Sequence, residues 1–126
     1  MTRLLIAAVL AGLALQAGSA AADGDVAKGR EQFRKCEACH SLKPGETKIG
    51  PTLSGLFGRK AGTVAGFSYS TAMKNFGITW DEKALDEYLT APAKVVRGTK
   101  MVFAGISKPN DRANLSAFLK DATKPK

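Results

Sequence analysis

Residues 36–40 read Cys36-Glu37-Ala38-Cys39-His40, the C-x-x-C-H pattern by which a haem is joined covalently to a chain. The spacing has a physical reason. Residues three apart on one helical turn hold their Cβ atoms about 5–6 Å apart, which lets two thiols reach two vinyl groups on neighbouring pyrroles. The next residue, His40, is then delivered under the iron as an axial ligand through an imidazole nitrogen. Two plainer readings use the same residues. A thioredoxin-like thiol–disulfide pair also carries C-x-x-C, but at a strand-to-helix junction. A short structural disulfide would leave His40 accidental. With two Cys and one His in the chain, a closed zinc site made only of Cys and His is excluded.

Toward the N-terminus, Arg3 precedes an apolar run from Leu4 to Leu15, LLIAAVLAGLAL, then Gln16 and the small residues AGSAAA before Asp23. This is the order of a secretory signal peptide, and residues 1–22 are expected to be cleaved, after Ala20 or Ala22. A membrane anchor is the competing reading, but the run is shorter than the ~20 apolar residues a spanning helix needs. Residues 23–126 are then a single exported domain, periplasmic in a bacterium. The 126-residue chain carries 19 Lys plus Arg against 11 Asp plus Glu, a formal charge of +8, which points to acidic partners. Nucleic acid is not expected, because no recognition motif accompanies the charge. A domain of about 100 residues buries only about 65% of its unfolded surface. A single pair of Cys three apart closes no useful loop, so something else must fill the core.

Periodicity predicts three helices and no strands. The first runs from about Val26 to Lys35, capped by Asp25, with Val26, Gly29 and Phe33 on one face. Gly29 costs about 1 kcal/mol against Ala inside a helix, so another backbone is expected to pass close by. The second opens on Thr79-Trp80-Asp81-Glu82, which has the capping-box form, and continues through Ala84, Leu85, Tyr88 and Leu89 to Pro92, with Trp80, Ala84 and Tyr88 sharing a face. The third starts near Ser107 or Pro109 and carries Leu115, Phe118 and Leu119. Between Ser41 and Ile78 lie seven Gly and two Pro, with a helical turn expected only around Ser70 to Asn75. A region this long with so little structure fits an all-helical domain only if it wraps a ligand. The sixth iron position needs a ligand, and there is no second His; Met73 reads as core filler, whereas Met101 lies in a loop bounded by Gly98 and Gly105, so Met101 is the better candidate.

Taken in order, GDVAKG, KCEACH, IGPTLSGLFGRKAG, GFSYSTAMKN, GITW, LDEYL, GTKMVFAGI and LSAFLKDATK span residues 24–124. Together they resemble a small class I cytochrome c, close to the mitochondrial type and the bacterial cytochromes c2. The resemblance implies an all-α fold of about three main helices, with short helical turns and long loops around one covalent haem c. By it, Cys36 and Cys39 match the thioether positions, His40 and Met101 the axial ligands, and Pro51 the residue whose carbonyl accepts the other imidazole N–H. Arg59, Tyr69, Ser70, Trp80 and Thr99 match groups that hold the buried propionates. Tyr88 matches the phenol near the Met sulfur and Phe103 the aromatic at the exposed haem edge. Gly29 and Phe33 match the first helix where it crosses the last at Leu115 and Phe118.

Four departures from the family pattern stand out. Met73 replaces an Asn often found beside the haem, which makes it a rival ligand in perturbed states. The loop from His40 to Pro51 is one residue shorter than in the mitochondrial proteins and lacks their extra His. Glu31 replaces a basic residue, and Val95 stands where an aromatic is common.

The resemblance implies a one-electron carrier that is not an enzyme and acts as a monomer. It shuttles between a quinol-oxidising, bc1-type cytochrome complex and a terminal oxidase or photosynthetic reaction centre. Lys35, Lys48, Lys94, Lys100 and Lys108 match positions that ring the exposed edge and dock transiently on acidic patches of those membrane complexes. The alternative is a haem peroxidase or gas-binding cytochrome with a labile Met ligand.

Overall fold

The computed structural model describes residues 24–125, so the expected leader over residues 1–22 lies outside the described residues. Among the described residues five helices follow one another: α1 Val26–Phe33, α2 Thr71–Lys74, α3 Glu82–Thr90, α4 Pro92–Val95 and α5 Pro109–Ala122. Among the described residues the only pairing of strand type is an isolated antiparallel bridge between Lys60 and Thr79, so the all-α expectation holds. No described helix is long and apolar enough to cross a membrane.

The Asp25 side chain caps α1 by accepting from the Lys28 N–H at 2.9 Å. The helix ends two residues before the expected Lys35, and single turns carry the chain on: Cys36 N–H donates to Phe33 O at 2.8 Å and His40 N–H to Cys36 O at 2.9 Å. The thiols and the imidazole therefore lie on helical turns, as their spacing requires. Val26, expected on the buried face, is 49% exposed, because it stands in the first turn, ahead of the helix crossing. That crossing is at Gly29. A Cβ there would collide with the Asn114 carbonyl oxygen of α5 and lie 2.7 Å from Phe118 Cβ, so the missing side chain lets the two backbones touch. Phe33 and Phe118 then stack at 5.3 Å, and Arg30 lies over the Phe118 ring at 5.4 Å.

The start of α3 differs from the capping-box expectation. Asp81, not Thr79, is the N-cap, accepting from Ala84 N–H at 2.7 Å. Thr79 belongs to the bridge with Lys60, where Trp80 N–H donates to Arg59 O at 2.9 Å and Ala61 N–H to Ile78 O at 2.8 Å. Long-range pairing has taken the backbone that a local rule assigned to a helix. Trp80 precedes the helix, yet its ring meets that of Tyr88 at 5.2 Å. Pro92 does end α3, and it also opens α4, because proline suits the first turn of a helix; α4 was not anticipated. The turn near Ser70 is α2, capped by the Ser70 hydroxyl, which accepts from Met73 N–H at 3.0 Å.

Leu115 is fully buried, and with Phe33, Leu85, Leu89, Ile106, Phe118 and Leu119 it belongs to one apolar cluster. The loop from Gly98 to Gly105 is pinned back on α3. Ile106 N–H donates to Leu89 O at 2.8 Å, and Gly105, at φ +103°, has Leu89 O 3.0 Å from where a Cβ would stand. The loop is thereby fixed with Met101 facing the apolar interior.

Candidate functional site

Between the long loop, the 98–106 loop and the helices lies an apolar cleft of about 240 Å³. Cys36, Cys39, His40, Pro51, Arg59, Tyr69, Ser70, Trp80, Tyr88, Thr99, Met101 and Phe103 all line it. These are all of the residues expected to hold a cofactor, drawn together from distant parts of the chain. Lys35 and Lys100 stand on its rim, whereas Lys48, Lys94 and Lys108 do not reach it.

His40 is the imidazole of the cleft. Its Nδ1 lies 2.7 Å from the Pro51 carbonyl oxygen. A carbonyl can only accept, so the proton sits on Nδ1 and the Nε2 lone pair is left free to bind a metal. Burial lowers the His40 pKa, which keeps the ring neutral, as ligation needs.

Met101 presents a thioether whose Sδ accepts from the Tyr88 hydroxyl at 3.5 Å. The Tyr88 and Thr99 hydroxyls are 3.1 Å apart, and Thr99 Oγ1 also accepts from Met101 N–H at 3.3 Å. Thr99 is therefore committed to the sulfur side of the cleft. Met73 is buried and lines the same cleft.

The other expected polar groups are held by the chain itself. The Arg59 guanidinium donates to Ser54 O at 2.8 Å and Thr52 O at 3.2 Å. No carboxylate pairs with it among the described residues. A half-buried cation facing apolar space, with only carbonyls for company, suits an anionic group. The Tyr69 hydroxyl accepts from Val64 N–H at 3.1 Å.

Cys36 and Cys39 are not joined in a disulfide. Burial pushes the Cys36 pKa up to about 11. Redox-active pairs of the thioredoxin kind work by the opposite shift, toward thiolate, so burial argues against thiol–disulfide exchange. An apolar cleft, two thiols one turn apart, a neutral imidazole with one free nitrogen, a thioether and an uncompensated guanidinium together fit an iron porphyrin with acidic side chains.

The ion pairs among the described residues gather on α3, α5 and the short segment after α5: Lys83–Glu87, Arg112–Asp86, Lys120–Glu82 and Lys124–Asp121. None involves Lys35, Lys48, Lys94, Lys100 or Lys108, all of which are exposed. Lys35 donates to Gln32 Oε1, Lys48 to Glu37 O and Lys100 to Ser68 O, each at 2.8–2.9 Å. Neutral acceptors leave the positive charge of these three lysines intact.

Several lining residues carried no expected site role, among them Ile49, Gly50, Leu53, Leu56, Phe67 and Val102. Ile49 and Val102 are 78% and 102% exposed. Apolar residues at a cleft mouth carry no signal in a pattern that reads burial from hydrophobicity.

The cytochrome c family model matches residues 26–123. The chain is 49% identical over 120 residues to cytochrome c2 of Rhodomicrobium vannielii, covering 94% of this chain and 95% of that one. It is 50% identical over 112 residues to cytochrome c of Arabidopsis thaliana, covering 87% of this chain and all of that one. Among solved structures, cytochrome cH from Methylobacterium extorquens superposes with a TM-score of 0.74 at 44% identity, over 78% of this chain and 99% of that one.

Proposed function

The chain belongs to the cytochrome c family of haem-containing electron carriers, and from that premise we propose that it is a periplasmic one-electron carrier with one His40/Met101-ligated haem c. Bound haem supplies a single iron that gains and loses one electron reversibly. The rest is work done by the chain. Cys36 and Cys39 would anchor the porphyrin, His40 would offer Nε2 while Pro51 holds Nδ1–H, and Met101 would offer a sulfur held by Tyr88. Held by these two groups, each fixed by a hydrogen bond, the iron site would reorganise little as its charge changes. A thioether ligand also favours the ferrous state and raises the potential. The apolar lining would keep water out, and Arg59, Tyr69, Ser70 and Trp80, which line the cleft, would offset the propionate charge.

The observation that carries this reading is the meeting of the C-x-x-C-H residues and Met101 in one apolar cleft, each axial candidate already hydrogen-bonded by its neighbours. Exposed Ile49 and Val102 beside Lys35 and Lys100 support transient docking on acidic patches of membrane redox complexes, a quinol-oxidising donor and an oxidase or reaction-centre acceptor. A peroxidase or gas-binding protein would need an open sixth position, and the hydrogen-bonded Met101 sulfur opposes that reading. Met101→Ala is expected to abolish the weak sulfur-to-iron absorption of the oxidised holoprotein, and Met73→Ala to keep it. The opposite pattern refutes Met101 ligation. Absence of the band in the wild type favours the enzyme reading.

A further inference from the structure

We propose that Gly50 is a positioning residue for His40, a bare backbone wall against which the imidazole is set; this rests on the reading of His40 as an axial ligand. A Cβ built on Gly50 would lie 2.6 Å from Cε1, 2.9 Å from Nδ1 and 3.1 Å from Nε2 of His40. Three ring atoms at such similar distances put that point over the ring face near Cε1, not off its edge. The contact is closer than a real methyl group permits.

Glycine is not required here by backbone conformation. The positive-φ glycines of the chain are elsewhere, so alanine could adopt the Gly50 backbone, and it would ordinarily stabilise by restricting the unfolded chain. Only the space taken by the imidazole excludes it.

Nor can Gly50 withdraw. Its N–H donates to Cys39 O at 2.8 Å, and its carbonyl accepts from Lys48 N–H at 3.1 Å. The next residue, Pro51, accepts from His40 Nδ1–H at 2.7 Å. The ring is thus held twice by one dipeptide, through its edge by a hydrogen bond and across its face by packing. A hydrogen bond alone leaves the ring free to turn about the N–H···O axis, and the Gly50 wall removes that freedom. A methyl group at position 50 must tilt the imidazole, which strains the Pro51 bond and weakens the ring as a donor to ferric iron.

The test compares Gly50→Ala with Gly45→Ala as haem-loaded proteins. Gly45 lies in the same loop at φ +71° with nothing within 4 Å of a Cβ, so its alanine brings backbone strain without touching the ring. Gly50→Ala is expected to move the hyperfine-shifted His40 ring-proton resonances of the ferric protein and to raise the reduction potential. Gly45→Ala is expected to lower thermal stability and leave both unchanged. Unchanged resonances and potential in Gly50→Ala, or equal changes in both variants, overturn the proposal. Failure of Gly50→Ala alone to take up haem supports it, and failure of both counts against it. In the reduced wild type, a nuclear Overhauser effect from Gly50 Hα to His40 Hε1 is expected, and its absence overturns the proposal whatever the variants do. If the wild-type ferric protein shows no hyperfine-shifted His40 resonance, the ligation reading is what has failed.

Discussion

The Tyr88 hydroxyl donates to the Met101 sulfur at 3.5 Å while lying 3.1 Å from the Thr99 hydroxyl. A residue of α3 thus holds the thioether contributed by a loop thirteen positions further on. The same phenol ring is buried against Trp80, so packing as well as hydrogen bonding fixes the donor.

Removing that hydroxyl is expected to change the potential more than the fold. Tyr88→Phe keeps the buried ring and loses one hydrogen bond, worth about 1 kcal/mol. The sulfur, no longer drawn toward a proton, becomes a better donor and stabilises ferric iron, so the potential falls. Protein-film voltammetry of both proteins checks this, and an unchanged potential refutes it.

Burial holds the Tyr88 pKa above the ordinary phenol value. In alkali the unfolded chain therefore gives up this proton before the folded one does. The native state binds more protons in that window, so stability declines as pH rises past about 10 and stops declining once the folded pKa is passed. Tyr88→Phe should flatten this alkaline arm in denaturant titrations across pH. Identical arms would remove the assignment.

At the helix crossing, Gly29→Ala is expected to destabilise despite the better helix propensity of alanine. The added methyl meets the Asn114 carbonyl and Phe118. Overpacking costs about 1–3 kcal/mol or more, against a propensity gain of about 1 kcal/mol. A lower guanidinium midpoint is the expected result, and a higher one shows that α1 and α5 can separate without loss.

Without haem the domain should not fold cooperatively. A cleft of about 240 Å³, at about 24 cal/mol per Å³, corresponds to about 6 kcal/mol, as large as the whole stability of many small domains. Cys36→Ala/Cys39→Ala protein lacking the cofactor is expected to give no sharp calorimetric transition. A sharp one would mean that the apolar cluster around Leu115 suffices alone.

Charge steering is tested with a small anion. Oxidation of the reduced protein by hexacyanoferrate should slow as ionic strength rises and the Debye length shrinks to about 8 Å at 0.15 M. Lys94→Glu should slow it further and flatten the salt slope. A salt-independent wild-type rate would remove the steering role of the lysine face.

Much of this molecule was legible in the chain because the signals are local. The pentapeptide Cys36 to His40, the Asp25 cap, the helical turn near Ser70, and the spacing of Leu115, Phe118 and Leu119 depend on residues within a turn of one another, and the structure keeps them. Gly29 was legible too, since a glycine inside a helix implies a neighbour. Local rules failed where distant backbone competed for the same groups. Thr79 has the form of a cap but lies in the bridge with Lys60, which left the capping of α3 to Asp81.

What sequence by itself determined is therefore chemistry and covalent order: two thiols and an imidazole on helical turns, a thioether in a later loop, and an excess of positive charge. Only tertiary structure decided that Tyr88 and Thr99 hold the Met101 sulfur, that the ion pairs gather mainly on α3 and α5 and involve none of Lys35, Lys48, Lys94, Lys100 and Lys108, and that Gly50 lies against the His40 ring. The reason is one of range. Helical turns and caps are made by hydrogen bonds between residues three or four apart, whereas the orientation of a ligand is set by van der Waals contact with atoms whose sequence position carries no trace of their nearness.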